Sequence, residues 1–119
     1  MEEKRYFAIV CLNSYFGAKI LKPGMNLVLK KEPENEFDAE AIGVYLEPVG
    51  KVGYVANSIH TVPRGCCSAG RLYDHFNEQA YGVVRFVLEN TAIAEFWEEK
   101  PPKSYGQEQE LLIIVKSNI

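Results

Sequence analysis

Lys30-Lys31-Glu32-Pro33-Glu34-Asn35-Glu36-Phe37-Asp38-Ala39-Glu40-Ala41-Ile42-Gly43-Val44-Tyr45 continues, through a turn at Pro48 and Gly50, into Lys51-Val52-Gly53-Tyr54-Val55-Ala56-Asn57. Apolar and polar residues alternate over Leu27 to Lys31, Ile42 to Leu46 and Val52 to Val55, the period of two that sends successive side chains to opposite faces of a half-buried strand. Three strands therefore frame two tight connections. In the first, Pro33 to Asp38, the proline fixes its own φ, and Asn35 and Asp38 carry side chains that bond nearby backbone, so the chain leaves the sheet and returns. Phe37 is the odd member of this acidic loop. A ring of that size is either core or a flat face offered to a ligand.

The flanking sequence extends the same pattern. Arg5 to Leu12 is β-rich and apolar on both faces, which predicts a central first strand. Asn13 to Gly24 is a connection whose Tyr15 and Phe16 either lid one end of a barrel or touch a ligand. After Val55, Asn57 to Val62 predicts a short helical turn ended by Pro63 and Gly65. Ser68 is then an N-cap for a helix through Phe76, with Leu72 and Phe76 facing the core and Arg71, Asp74 and His75 in water. Tyr81 to Glu89 predicts a strand with Val84, Phe86 and Leu88 on one face. Asn90-Thr91 reverses the chain, and Ala92 to Trp97 returns as the hairpin partner. The expected architecture is mainly β with one or two short helices, a small closed or nearly closed β-barrel of five or six strands. It occupies residues 1–97. In 98–119, Glu98 to Gln109 reads as a charged linker with Pro101-Pro102, and Leu111 to Val115 as an extra edge strand.

Composition narrows the function. A chain of 119 residues, 47% hydrophobic and 24% charged, can bury one core without covalent staples. A formal net charge of −3 argues against sequence-blind coating of a polyanion, which needs clustered Lys and Arg, but leaves room for a local basic patch. No run of about twenty apolar residues or secretory signal is read, so the expectation is a cytoplasmic protein off the membrane. Cys11, Cys66 and Cys67 form no even framework and lack the spacing of a zinc site, and His60 and His75 stand apart. Burial as small hydrophobes is the expected role of the cysteines.

Four linked segments, Lys31-Glu32-Pro33, Asn35-Glu36-Phe37-Asp38, Ala41-Ile42-Gly43-Val44 and Val52-Gly53-Tyr54-Val55, resemble the HIRAN domain family in residue type and register. The resemblance implies a modified OB-like barrel over residues 3 to 97 and a binding module that captures the 3′ end of single-stranded DNA, with repair proteins as neighbours. By position it implies that Phe37 stacks on the terminal base, that Asp38 accepts a hydrogen bond from the 3′-hydroxyl, and that Tyr54 and Asn57 supply polar contacts. Glu36 stands where the family has proline and Phe37 where it has tyrosine, which preserves stacking but not a phenolic hydroxyl. Asn57 lies near the place of a basic residue, and nothing basic precedes Tyr15 and Phe16 nearer than Arg5.

The basic neighbourhood such a ligand needs would come from Lys30, Lys31, Arg64 and Arg71, although Lys30 and Lys31 point to opposite faces of their strand. Asp38 is equally suited to capping the turn Ala39-Glu40-Ala41. No catalytic constellation, phosphate loop or cofactor motif is present, so an enzyme is not expected. Asp38 and Glu40 are a minimal carboxylate pair for a metal-dependent nuclease. The alternative to nucleic-acid binding is a protein-interaction module that uses the apolar segment Leu111 to Val115.

Overall fold

The computed structural model describes residues 3–102, and in it six strands close into one antiparallel barrel. In chain order they are β1 (Tyr6–Val10), β2 (Asn26–Lys31), β3 (Ile42–Leu46), β4 (Gly50–Val55), β5 (Gln79–Val87) and β6 (Ala92–Trp97). Around the barrel they run β1-β4-β3-β2-β5-β6, with β6 pairing back to β1. Every strand has two neighbours, so no edge among the described strands is left open to other chains. The expected strand from Leu111 to Val115 lies outside the described residues, and no described helix is long and apolar enough to cross a membrane.

Alternation builds the interior. Leu27 and Leu29 of β2, Ile42, Val44 and Leu46 of β3, and Phe7 and Ile9 of β1 are fully or almost fully buried. Leu12, Ile20 and Leu21, from and beside the short 3₁₀ turns Leu12–Ser14 and Ala18–Ile20, join the same core. Those aliphatic residues do the work expected of Tyr15 and Phe16, which instead lie exposed on the outside. The reason is local: Leu12 continues directly from β1 into the core, and the chain then turns outward.

Helix α1 (Ala69–Tyr73) covers the end of the barrel at which β2 finishes. Ser68 caps it, its hydroxyl accepting from the Arg71 amide at 3.2 Å, and Ala69 and Leu72 are buried beneath it. Ser68→Ala is expected to cost about 1 kcal/mol in a urea titration, the usual effect of losing such a cap. The helix stops short of Phe76, because the last turn tightens through a bond from the His75 amide to the Leu72 carbonyl and the Lys31 ammonium takes the Phe76 carbonyl at 2.6 Å. Phe76 still reaches the core, from a loop, with its ring 6.0 Å from that of Phe96. Asn57 to Val62 is a turn about Ser58 rather than a helix.

Two register shifts alter the simple alternation. In β5, Val84 pairs with Ala94 but Phe86 with Ile93, so Arg85 is the extra residue of a bulge. Val84 therefore points inward while Phe86 and Leu88 are exposed, and the three do not share a face as period two predicts. In β4, Val44 faces Gly53 and Tyr45 faces Lys51, so Val52 is the extra residue. Lys51 and Tyr54, three apart, thereby come to the same outer face. Gly53 is fixed by contact with β1: a Cβ there would lie 2.5 Å from the Val10 carbonyl oxygen.

Candidate nucleic-acid interface

The β2–β3 connection is a folded loop rather than a loose one. Its base is closed by the Glu32 amide donating to the Ala41 carbonyl at 2.8 Å, and Asn35 organises its tip. The Asn35 side-chain oxygen accepts from the amides of Phe37 (2.9 Å) and Asp38 (3.1 Å), while its amide nitrogen donates to Glu32 Oε1 at 3.3 Å. With the backbone drawn inward at three points, the Phe37 ring is turned out and is 93% exposed. The ring faces solvent and is not core.

Asp38 sits beside it, half-buried. Its Oδ1 accepts from the Glu40 amide at 2.9 Å, the turn cap that its position allows. Its Oδ2 accepts from the Asn57 side-chain amide at 2.8 Å, and Asn57 Oδ1 in turn accepts from the Gly70 amide of α1 at 2.8 Å. Asn57 thus ties the loop, the exit of β4 and the start of α1 together. Both Asp38 oxygens are oriented by one short bond each and keep acceptor capacity for another donor.

A second cluster continues from this one along β4. Glu32 Oε2 lies 2.6 Å from Lys51 Nζ, and Glu32 Oε1 accepts from the Tyr54 hydroxyl at 2.9 Å. Lys51 also donates to the Tyr54 oxygen at 2.8 Å, and the Tyr45 hydroxyl reaches Glu32 Oε2 at 3.4 Å. Tyr15 packs on Tyr54 from outside, with centroids 6.3 Å apart. Burial works to raise the Glu32 carboxyl, but bonds from Lys51, Tyr54 and Asn35 and the Lys51 charge outweigh it and hold the group below its ordinary value. Lys51 is raised: burial opposes its charge, but the bonds to Glu32 and Tyr54 prevail. The Tyr54 hydroxyl is also raised; the Lys51 bond pulls it down, and burial with the contacts to Glu32 and Tyr15 overrides that.

Of the residues singled out from sequence, Asn35, Phe37, Asp38, Tyr54, Asn57 and Tyr15 therefore belong to one hydrogen-bonded and stacked assembly. Phe16 is exposed beside Tyr15. Lys31 is turned away: it continues the inward row of Leu27 and Leu29, and its ammonium lies 4.2 Å from the Tyr73 ring centroid and on the Phe76 carbonyl. Lys30 stands on the outer face over Tyr45. Arg64 and Arg71 are exposed, and their guanidinium groups make no hydrogen bond or ion pair among the described residues. Glu32, Tyr45 and Lys51 were not singled out from sequence: alternation alone puts Glu32 and Tyr45 on the outer face with Lys30, but the bulge at Val52 that brings Lys51 onto the face of Tyr54 leaves no mark in a two-residue pattern.

The rim is acidic, with Glu34, Glu36, Asp38 and Glu40 all in the loop. Asp38 and Glu40 share Asn57 as a partner, and no group of three His, Cys, Asp or Glu side chains able to hold a metal occurs among the described residues. The three cysteines are free thiols, and Cys11 is exposed rather than buried because it leaves β1 with φ 63° ahead of the 3₁₀ turn. Burial and the neighbouring Cys67 raise the Cys66 thiol.

The HIRAN domain family matches residues 5–97, a span that ends on the last residue of β6. The chain belongs to the HIRAN domain family. HIRAN domains are nucleic-acid-binding modules. The crystal structure of the HIRAN domain of human HLTF aligns with a TM-score of 0.54 at 20% identity, covering 92% of this chain and 87% of that one. A crystal structure of a protein from Lactobacillus plantarum aligns with a TM-score of 0.53 at 18% identity, covering 80% of this chain and 93% of that one. Likeness at these identities is likeness of fold. No curated protein matches the sequence.

Proposed function

We propose that this HIRAN domain captures the free 3′ end of single-stranded DNA, as a binding module without catalysis that serves repair or processing enzymes in the cytoplasm. The observation that carries the reading is the pairing of a ring 93% exposed with an oriented carboxylate one residue away. Phe37 stacks on the terminal base, a sequence-tolerant contact available to every nucleotide. Asp38 accepts the hydrogen bond of the terminal hydroxyl, a donor that no internal nucleotide of DNA offers at that position. Glu34, Glu36 and Glu40 repel a phosphate placed there, which adds selection for a bare end.

Fluorescence anisotropy with a 5′-labelled oligonucleotide tests this directly. Converting the 3′-hydroxyl to a 3′-phosphate is expected to weaken binding by about tenfold, since a hydrogen bond to a charged acceptor is replaced by like-charge repulsion. Equal affinity for the two ends would overturn the pocket mechanism even where DNA binding survives.

A further inference from the structure

The acidic loop that suits a hydroxyl is a poor path for the phosphates that precede it, so the rest of the strand must leave over another surface. The outer face of β4, β3 and β2 provides one. Tyr15 packs on Tyr54, and the Tyr54 and Tyr45 hydroxyls meet on Glu32. Beyond them Lys30 Nζ lies 4.9 Å from the Tyr45 ring centroid. Across the sheet Lys30 pairs with Gly43 and Gly43 with Tyr54, two strand spacings or about 10 Å. Gly43 puts no side chain between them, and a Cβ there would lie 2.6 Å from Glu32 Oε2 and 3.0 Å from the Tyr45 ring. The Lys51 charge is taken up by Glu32, whereas Lys30 is exposed and has no carboxylate partner among the described residues.

We propose that this face is the track of the nucleotides immediately 5′ of the captured end: bases pass over the tyrosine rings, and Lys30 meets the phosphate that follows. Three rings interleaved with ammonium groups form the surface that single strands recognise through stacking and charge together. The inference rests on the end-capture reading and extends it from one nucleotide to several.

The test compares a dinucleotide with an octanucleotide, both ending in a 3′-hydroxyl, by isothermal titration. The octanucleotide is expected to bind about tenfold more tightly, and Tyr45→Ala and Lys30→Gln each to bring that ratio to within about twofold of unity. Because the ratio is taken within one protein, a change in stability from Tyr45→Ala cancels, and Lys30 is exposed, so its substitution leaves the fold intact. Lys30→Gln should also flatten the salt dependence seen with the octanucleotide, by about one phosphate contact. Binding of both oligonucleotides with equal affinity, or a length ratio that survives both substitutions, would overturn the track and leave end capture standing. Failure of both oligonucleotides to bind would overturn end capture itself, and the track with it.

Discussion

Phe37→Ala should weaken binding of a 3′-hydroxyl oligonucleotide by about thirtyfold and shift the thermal midpoint of the free protein by no more than about 3 °C. The first figure is the middle of the range of about 1–3 kcal/mol lost when a base-stacking aromatic is truncated. The second follows from exposure: the ring is 93% accessible, so its removal opens no cavity and belongs with surface substitutions. The same change at the buried Phe7 would cost about 3–5 kcal/mol. Anisotropy and thermal denaturation on one preparation separate the two cases. A large stability loss would mean that the ring packs on something, and unchanged affinity would mean that it meets no base. Phe37→Tyr should keep most of the binding, since it retains the face that stacks.

How far the sequence carried this conclusion depends on which physical signal each residue leaves. Strands β3 and β6 and the Ser68 cap were legible to the residue, because alternation and a capping hydroxyl are local properties. The exposure of Phe37 was open between two outcomes, and Asn35 decides it by drawing the Phe37 and Asp38 amides inward. Nothing in the sequence distinguishes an asparagine that does this from one that merely ends a turn. The bulges were invisible. One extra residue at Val52 and another at Arg85 reverse the side-chain parity that follows, which brings Lys51 onto the face of Tyr54 and exposes Phe86. Alternation placed Lys30 and Lys31 on opposite faces of β2 but not which of them is outward; Lys31 ends the inward row, and its ammonium bonds a loop carbonyl 45 residues away.

Lys51→Met, in the cluster that supports the Phe37 and Asp38 loop, is expected to destabilise the protein by about 2–3 kcal/mol and to weaken oligonucleotide binding as well. The Lys51 and Glu32 side chains are only 23% and 22% exposed, and removing the cation leaves a largely covered carboxylate with hydrogen-bond donors but no counter-charge. Breaking a fully buried pair costs about 3–5 kcal/mol, so partial exposure places this one lower. The effect on binding follows the chain of bonds: Glu32 holds Asn35, and Asn35 holds the amides that present Phe37 and Asp38. Adding Glu32→Gln to Lys51→Met should recover more than half of the lost stability, because the uncharged amide no longer needs a cation. The pH dependence has a definite sign. Burial tends to raise the Glu32 carboxyl, yet its bonds and the Lys51 charge hold it below the ordinary 4.5, so its contribution is fully present above that pH and is lost as pH falls through the folded value. The raised Lys51 contributes fully below its ordinary 10.5 and loses its effect only as pH rises through a still higher value. Urea titrations should therefore give a constant difference between wild type and Lys51→Met across neutral pH, shrinking once pH drops below about 4.5. A difference that persists undiminished at about pH 3 would mean that Lys51 acts through packing on the tyrosine rings rather than through its charge on Glu32.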